Sequence, residues 1–205
     1  APRVAAHFHS TIMKLAIIGG AGVRVPLLVN GLVQSDLPIT DIALYDVDQE
    51  RLRLIGQLAA RFAGTARLAV ASTVAEAVRG ADYVFISIRV GGIAGRARDE
   101  ATALAHGIVG QETVGPGGFA MALRTVPALV GYAREVMVHA PGAWIINFTN
   151  PVGIVTQAVR TATGARVIGI CDTPTELFEE VAHVLDVPSI ECHFDYVGLN
   201  HLGWI

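Results

Sequence analysis

The sequence predicts an α/β protein with a doubly wound, mostly parallel sheet. Short apolar segments alternate along the chain with segments of helical periodicity, which is the pattern of repeated β-α-β units. Hydrophobic residues make up 52% of the 205 residues and aromatic residues only 6%. This composition is typical of parallel strands that are buried on both faces and covered by helices. The first apolar segment also runs directly into a glycine-rich turn, Gly19-Gly20-Ala21-Gly22.

The individual elements follow from apolar runs and their spacing. Apolar runs bounded by polar residues or glycine predict strands at 14–18, 41–46, 67–70, 82–88, 143–148 and 166–170. Helical periodicity predicts helices at 25–33, 48–62, 73–79, 121–139, 152–163 and 175–185. In the second of these helices, Leu52, Ile55 and Ala59 recur at helical spacing. The segment 89–118 holds eight glycines, so we predict a long irregular loop with a functional role there.

Charge and cysteine content narrow the classes of function. The net charge of −3 provides no basic field for nucleic acid or an anionic membrane, so we expect neither as a partner. Two cysteines cannot build a disulfide framework, which favours a reduced, cytoplasmic setting. Every apolar run of 18 or more residues is interrupted by a charge or a turn signal, so we expect no membrane span. We also expect a homo-oligomer.

The glycine-rich turn predicts a dinucleotide site. Gly19, Gly20 and Gly22 would let a pyrophosphate approach the backbone, and the following helix N-terminus would donate N–H groups to it. From Gly20 the pattern is G-x-G-x-x-V, because Val25 stands where a third glycine is usual. Asp46 ends the second strand, where a carboxylate accepts hydrogen bonds from the ribose of NAD and repels the 2′-phosphate of NADP. The alternative is an ordinary strand–turn–helix with an acid at the strand end.

Polar residues at the ends of later strands predict a second site. Cys171 ends a strand before a helix, where a thiol can serve as a nucleophile or a metal ligand. His201 lies in a polar turn after another apparent strand, so thiolate, imidazole and substrate oxygens could share a divalent metal. From spacing alone, a cysteine at a strand end is more often a core residue and a histidine in a loop more often a surface group, so Cys171 and His201 could also have these roles.

Two further strand ends carry candidate residues with competing interpretations. Asn150 precedes Pro151 between a strand and a helix, and it could bind substrate or cap the helix. Arg89 lacks an obvious carboxylate partner in the sequence. It could clamp a phosphate or carboxylate, or form a structural ion pair with Asp99 or Glu100.

Five ordered motifs then resemble those of the family 4 glycoside hydrolases, which are NAD- and metal-dependent 6-phospho-glucosidases and their relatives. The motifs are IRVGG at 88–92, VGQETVGPGG at 109–118, NFTNPVG at 147–153, ICDTP at 170–174 and GLNHLGW at 198–204. The resemblance covers about Lys14 to Trp204. This family departs from the two-carboxylate glycosidase scheme.

The resemblance implies a redox route to hydrolysis. NAD⁺ takes a hydride from C3 of the sugar, and a divalent metal, usually Mn²⁺, polarises the C2 and C3 oxygens. A base then removes the C2 proton, the aglycone leaves by elimination, water adds, and the hydride returns. The resemblance implies a phosphorylated disaccharide or glucoside as the substrate. It also implies that a Rossmann-like domain at 14–205 includes the start of the substrate and metal site. Residues 1–13 contain no apolar stretch long enough for a signal peptide, and we predict that they form a disordered extension.

The motifs also assign roles to individual residues. By resemblance, Cys171 and His201 are metal ligands, and Asp172 is the acid that assists the leaving group. Glu112 resembles the acidic residue that tunes the base. Arg89 and Asn150 resemble substrate-contacting residues, with Arg89 near the sugar phosphate.

The extent of the chain limits what the resemblance implies for activity. The family's base is a tyrosine well downstream of GLNHLGW, and its members are roughly twice this length. We therefore expect a fragment that lacks most of the substrate domain and is inactive alone. The motifs favour a 6-phospho-β-glucosidase. The alternatives are a 6-phospho-α-glucosidase, an α-galactosidase or galacturonase of the family, a malate/lactate-type dehydrogenase, and a non-catalytic NAD-binding module.

Overall fold

The computed structural model describes residues 12–199 and 201–205, and it confirms the doubly wound α/β architecture. The strands are β1 (Met13–Ile18), β2 (Ile39–Tyr45), β3 (Arg67–Val70), β4 (Tyr83–Ile86), β5 (Trp144–Asn147), β6 (Val167–Gly169), β7 (Val197–Leu199) and β8 (Leu202–Trp204). The helices are α1 (Val25–Gln34), α2 (Gln49–Ala60), α3 (Val74–Val78), α4 (Gly92–Ala105), α5 (Gly115–His139), α6 (Val152–Thr163) and α7 (Thr173–Leu185). Over these residues, no helix combines the length and apolarity that crossing a bilayer requires.

The strands form a six-stranded parallel sheet in the order β3-β2-β1-β4-β5-β6, with a separate antiparallel pair, β7 and β8. In the parallel sheet, Ala16 of β1 lies between Ala43 of β2 and Val84 of β4. The chain therefore moves outward from β1 through β2 to β3 and then returns to the other side of β1 at β4. Ligands of doubly wound sheets bind where the strand order reverses in this way, beyond the carboxyl ends of the strands.

An apolar core holds the first strands and helices together. Ile17 of β1 and Leu44 of β2 are fully buried against Val29 of α1 and Leu52 of α2. The burial of four such side chains stabilises the fold by about 1.5–3 kcal/mol each. This packing fixes the carboxyl ends of β1 and β2, which carry the glycine-rich turn and Asp46.

The chain divides into two compact units. Of the described residues, the first unit contains those up to 88 together with 132–145, and the second contains 89–131 together with those from 146 onward. The segment 14–205, which we predicted as one domain, thus contains parts of both compact units. Residues 1–11 of the predicted extension lie outside the described residues, and Met13 already belongs to β1.

The prediction of an irregular loop at 89–118 was wrong. Helix α4 occupies much of this segment, and α5 begins at its end. The helix is supported by an ion pair one turn apart, in which Arg96 Nε donates to Glu100 Oε1 at 2.6 Å. Gly95 is also buried against Arg124, whose Nη2 would lie 3.4 Å from an added Cβ. These contacts outweigh the low helix propensity of the glycines.

Candidate functional site

In the first unit, the glycine-rich turn is built by backbone hydrogen bonds to the neighbouring strand. The N–H groups of Gly19 and Gly20 both donate to Tyr45 O at 2.9 Å, and Gly22 N–H donates to Gly19 O at 3.1 Å. Gly19 has φ +97°, and an added Cβ there would overlap the carbonyl group of Ser87. Glycine is therefore required at Gly19 by both the backbone conformation and the lack of space.

The three glycines of the turn do not serve the same purpose. An added Cβ at Gly20 would lie 2.9 Å from Leu52 Cδ1 and 3.0 Å from Leu44 Cβ, so Gly20 is required by core packing. At Gly22 the nearest atoms are Gly19 O at 3.2 Å and Val25 Cγ2 at 3.6 Å, both within the turn itself. The space beside Gly22 thus contains fewer protein atoms than the space beside Gly20.

Asp46 lies directly at this turn, although it is 25 residues away in the chain. Its Oδ2 accepts a hydrogen bond from Ala21 N–H at 3.0 Å, and its Oδ1 accepts one from Asp48 N–H at 3.1 Å. A carboxylate has about four acceptor positions, so these two bonds leave capacity for ribose hydroxyls.

The start of α1 fits a pyrophosphate. The helix has Pro26 in its first turn, no acidic residue there, and no side-chain hydrogen bond that caps its N-terminus. Amide N–H groups at an uncapped helix N-terminus favour a bound anion, both as donors and through the helix dipole. The turn, the helix start and Asp46 thus have the chemistry that a dinucleotide requires.

In the second unit, the structure brings Cys171 and His201 together across thirty residues of chain. Cys171 Sγ lies 3.5 Å from His201 Nε2. Cys171 follows β6, and His201 occupies the turn between β7 and β8 with φ +59°. Asp172 Oδ1 lies 3.9 Å from the same sulfur. The side chains of Cys171 and His201 are both partly buried. A thiol sulfur and an imidazole nitrogen, both of which can be metal ligands, thus lie within 3.5 Å of each other.

This pair fits a divalent metal. Metal–sulfur and metal–nitrogen bonds are about 2.3 Å and about 2.1 Å for zinc, so atoms 3.5 Å apart can contact one ion. Among the described residues, the structure holds no group of three or more His, Cys, Asp or Glu side chains that could bind a metal. Cys171 and His201 could therefore supply two ligands of a metal ion, and the others would have to be oxygen atoms from elsewhere.

Glu112 forms the centre of a charged cluster in the second unit. Arg89 Nη2 donates to its Oε1 at 2.8 Å, and Arg96 Nη1 lies 2.8 Å from its Oε2. Asn150 Nδ2 makes a longer contact of 3.5 Å to Oε1. The interpretation that Arg89 lacks a carboxylate partner was wrong, as was its alternative pairing with Asp99 or Glu100. The partner is Glu112, which lies 23 residues away and cannot be identified from local spacing.

The other acids of the α4 region pair with different arginines. The guanidinium group of Arg124 donates from Nη1 to Asp99 Oδ1 at 2.8 Å and from Nη2 to Asp99 Oδ2, while Glu100 pairs with Arg96. Arg89, Arg96, Asp99, Glu112 and Arg124 also line one small pocket. The site prediction omitted Arg96 and Arg124. A hint was available for Arg96, because Glu100 lies four residues after it, the spacing of a helical ion pair.

The pKa of Glu112 lies below its ordinary value. Burial alone would raise this pKa, but the hydrogen bonds and positive charges of Arg89 and Arg96, together with the hydrogen bond from Asn150, outweigh burial. Glu112 is therefore ionised at neutral pH and acts as an acceptor.

Asn150 does not cap the helix that follows it. The residue that precedes α6 is Pro151, no side-chain hydrogen bond caps this helix, and the Asn150 amide points to Glu112. Ile170 N–H donates to Asn147 O at 3.0 Å, so the segments that carry Asn150 and Cys171 leave neighbouring strands. Asp172 is the residue before α7, and it does not cap that helix with a side-chain hydrogen bond.

Comparison with known proteins confirms the suspected resemblance. The sequence model of Family 4 glycosyl hydrolase matches residues 14–187. The chain is 36% identical over 199 residues to a probable 6-phospho-beta-glucosidase of Bacillus subtilis, which covers 93% of this chain and 45% of the relative. It is 35% identical over 199 residues to 6-phospho-alpha-glucosidase 1 of Lacticaseibacillus paracasei, with the same coverage. The chain thus spans about half the length of the curated relatives it matches.

A solved structure shows the same fold. The 6-phospho-beta glucosidase of Thermotoga maritima, solved with manganese, NAD⁺ and glucose-6-phosphate, superposes with a TM-score of 0.87 at 35% sequence identity. The match covers 93% of this chain and 48% of that chain. The neighbour therefore extends well beyond the matched region.

Proposed function

Because the chain belongs to family 4 of the glycosyl hydrolases, we propose that its protein hydrolyses phosphorylated β-glucosides with NAD⁺ and a divalent metal, Mn²⁺ in the first instance. The observation that carries the proposal is the 3.5 Å separation of Cys171 Sγ and His201 Nε2. A two-carboxylate glycosidase acts through a pair of Asp or Glu residues, and its mechanism does not require a thiol beside an imidazole.

The cofactors supply the chemistry that these side chains lack. When bound, the nicotinamide would accept a hydride from the sugar, and the metal would polarise the adjacent sugar oxygens. The turn at Gly19, Gly20 and Gly22 binds the dinucleotide, and Asp46 orients its ribose. Cys171 and His201 hold the ion and leave coordination positions for substrate oxygens.

The remaining polar residues of the second unit act on the sugar. Asp172, 3.9 Å from Cys171 Sγ, is the proposed acid that donates a proton to the leaving oxygen. We assign Glu112 to holding the substrate-contacting Arg89 and Asn150 in place, because both contact its Oε1, and to tuning the base as the family resemblance implies. A tyrosine that removes the C2 proton remains an expectation from the family resemblance.

The α-glucoside is a second candidate substrate. The relatives include both 6-phospho-beta- and 6-phospho-alpha-glucosidases at nearly equal identity. A mechanism that removes the C2 proton depends less on the anomer than direct displacement at C1 does. Assay of both anomers decides between them.

We also propose a cytoplasmic homo-oligomer. Cys171 and Cys192 are free thiols, as expected in a reducing compartment. On α5, Phe119 and Leu123 lie one turn apart and are each 62% exposed, which suits burial against a second copy.

The test uses the protein expressed from its complete gene. With NAD⁺ and Mn²⁺ present, it should hydrolyse β-linked glucoside 6-phosphates and exchange the C2 hydrogen with solvent deuterium. Cys171→Ser should abolish Mn²⁺ binding and with it the Mn²⁺-dependent activity, while NAD⁺ binding persists. Turnover that does not depend on NAD⁺ would contradict the proposal. NAD⁺ binding without any hydrolysis would instead support the non-catalytic module, and 2-hydroxy-acid oxidation would support the dehydrogenase.

A further inference from the structure

Three aromatic rings form a cluster beside the segment that carries His201. Phe178 of α7 stacks on Phe194 with ring centroids 4.6 Å apart and planes 1° apart. Phe178 also meets Tyr196 edge to face, with centroids 6.2 Å apart and an interplanar angle of 78°. All three rings are partly buried. Aromatic pairs of this geometry stabilise a structure more than the burial of their surface area alone would.

Tyr196 of this cluster contacts the β7–β8 hairpin at two places. Its Oη donates to Leu199 O in β7 over 3.5 Å, a weak hydrogen bond. Its ring lies directly over Gly203 of β8, where an added Cβ would overlap Cζ and Oη of the tyrosine. The hairpin is short, with Val197 opposite Trp204 and Leu199 opposite Leu202. A hairpin of three residues on each side is barely stable alone, so outside contacts determine its position.

The cluster therefore connects the two segments that meet at the sulfur–nitrogen pair. Phe178 belongs to α7, which begins at Thr173, two residues after Cys171. Gly203 belongs to β8, which begins directly after His201. We propose that Tyr196 is a positioning residue, which, held between Phe178 and Gly203, sets the separation of Cys171 Sγ and His201 Nε2 and so the affinity for the metal. This inference rests on the metal site of the proposed function.

The test measures Co²⁺ binding to the protein expressed from its complete gene, through the thiolate-to-cobalt absorption band. Tyr196→Ala removes the ring, and Gly203→Ala forces the ring away from β8. Both should raise the Kd for Co²⁺ about 10- to 100-fold, which is the usual effect of losing a group that orients a metal ligand. Tyr196→Phe keeps the ring contacts and should restore the Kd to within about threefold. Gly131→Ala is the matched control, because Gly131 lies exposed in α5 with nothing near an added Cβ.

Each outcome either supports or contradicts the inference. NAD⁺ affinity, measured in the same samples, reports the fold of the first unit and should stay unchanged. Wild-type Kd for Co²⁺ in both Tyr196→Ala and Gly203→Ala would overturn the positioning role and leave the metal site standing. Co²⁺ binding that survives in Cys171→Ser, or is missing in the wild type, would overturn the metal site itself. Loss of binding in only one of the two variants would also contradict the role, because both must act through the same contact.

Discussion

The two candidate sites differ in the chemical groups that form them: mainly backbone groups in the first unit and side chains in the second. In the first unit, backbone groups form the glycine-rich turn, and one side chain, Asp46, completes it. In the second unit, side chains from distant segments form the Glu112 cluster and the Cys171–His201 pair. The glycine-rich turn has no room for an added Cβ at Gly19. The Glu112 cluster instead depends on the balance between the charges of its side chains. The two should therefore fail in different ways when they are altered.

The largest effect is expected at Gly19. The change Gly19→Ala adds a Cβ that overlaps the Ser87 carbonyl at a positive φ, so the turn must shift. Backbone strain and overlap together should lower the free energy of unfolding by about 3 kcal/mol or more. Urea unfolding measures this change. Gly31→Ala, in an exposed helical position of α1 with nothing near the added Cβ, should be neutral or stabilising. Equal stability of both variants would contradict the close approach at Gly19.

A smaller effect is expected from the Arg124–Asp99 pair. Asp99 retains only 10% exposure, and hydrogen bonds from Arg124 hold the pKa of its carboxyl group below the ordinary value. Arg124→Met leaves the mostly buried Asp99 carboxylate without the guanidinium that pairs with it, so the free energy of unfolding should fall by about 2 kcal/mol. Arg134→Ala, an exposed change on the same helix, is the control. A loss confined to the control position would show that α5, rather than the ion pair, determines stability.

Asp46 should affect the cofactor more than the fold. Asp46→Ala removes the carboxylate that we propose accepts hydrogen bonds from the ribose and repels a 2′-phosphate. We expect NAD⁺ affinity to fall about tenfold, which corresponds to about 1.4 kcal/mol, and the preference over NADP⁺ to shrink. Calorimetry with both nucleotides measures this selectivity. If the affinities for NAD⁺ and NADP⁺ fall in equal proportion, Asp46 stabilises the turn and does not distinguish the ribose of NAD⁺ from that of NADP⁺.

The smallest effect is expected from the titration of Glu112. Its pKa is lower in the folded chain than in the unfolded chain, so its stabilisation is present above the unfolded pKa of about 4.3. That stabilisation is lost as the pH falls through the lower, folded pKa. Glu112→Gln should therefore be about 1 kcal/mol less stable than the wild type at pH 7. The gap should narrow below about pH 4. A gap that stays constant with pH would contradict the lowered pKa.

Local sequence was sufficient to predict most of the fold and the position of Asp46 beside the glycine-rich turn. The strand at β3 and the helix at α6 have the predicted limits, because apolar periodicity and turn residues determine them locally. The position of Asp46 at the turn follows from the parallel pairing of β1 and β2, which the β-α-β pattern already implies. For these strands and helices, the structure that the local sequence favours is the same as the one that tertiary packing favours, so the sequence alone predicts it.

The second site was predictable only in part. The motifs identified Cys171, His201, Glu112 and Asn150, but spacing could not show that Arg89 pairs with Glu112. Helix α4 was missed because its glycines suggested a loop, whereas its stability comes from contacts such as the Arg124 packing on Gly95. Tyr196 lies outside the recognised motifs, and its ring contacts become visible only once the hairpin is folded. Contacts between distant side chains carry no local signal.

The pairing in the Glu112 cluster changes how an anionic ligand would bind there. Arg89 and Arg96 both hold Glu112, so their positive charges are already compensated inside the protein. An incoming phosphate at Arg89 would therefore replace a carboxylate in an exchange of anions. Such an exchange depends on the difference between two similar interactions, so a ligand with two negative charges gains over one with a single charge. A sugar phosphate would then bind more weakly to this cluster than to an unpaired arginine, because it first has to displace Glu112.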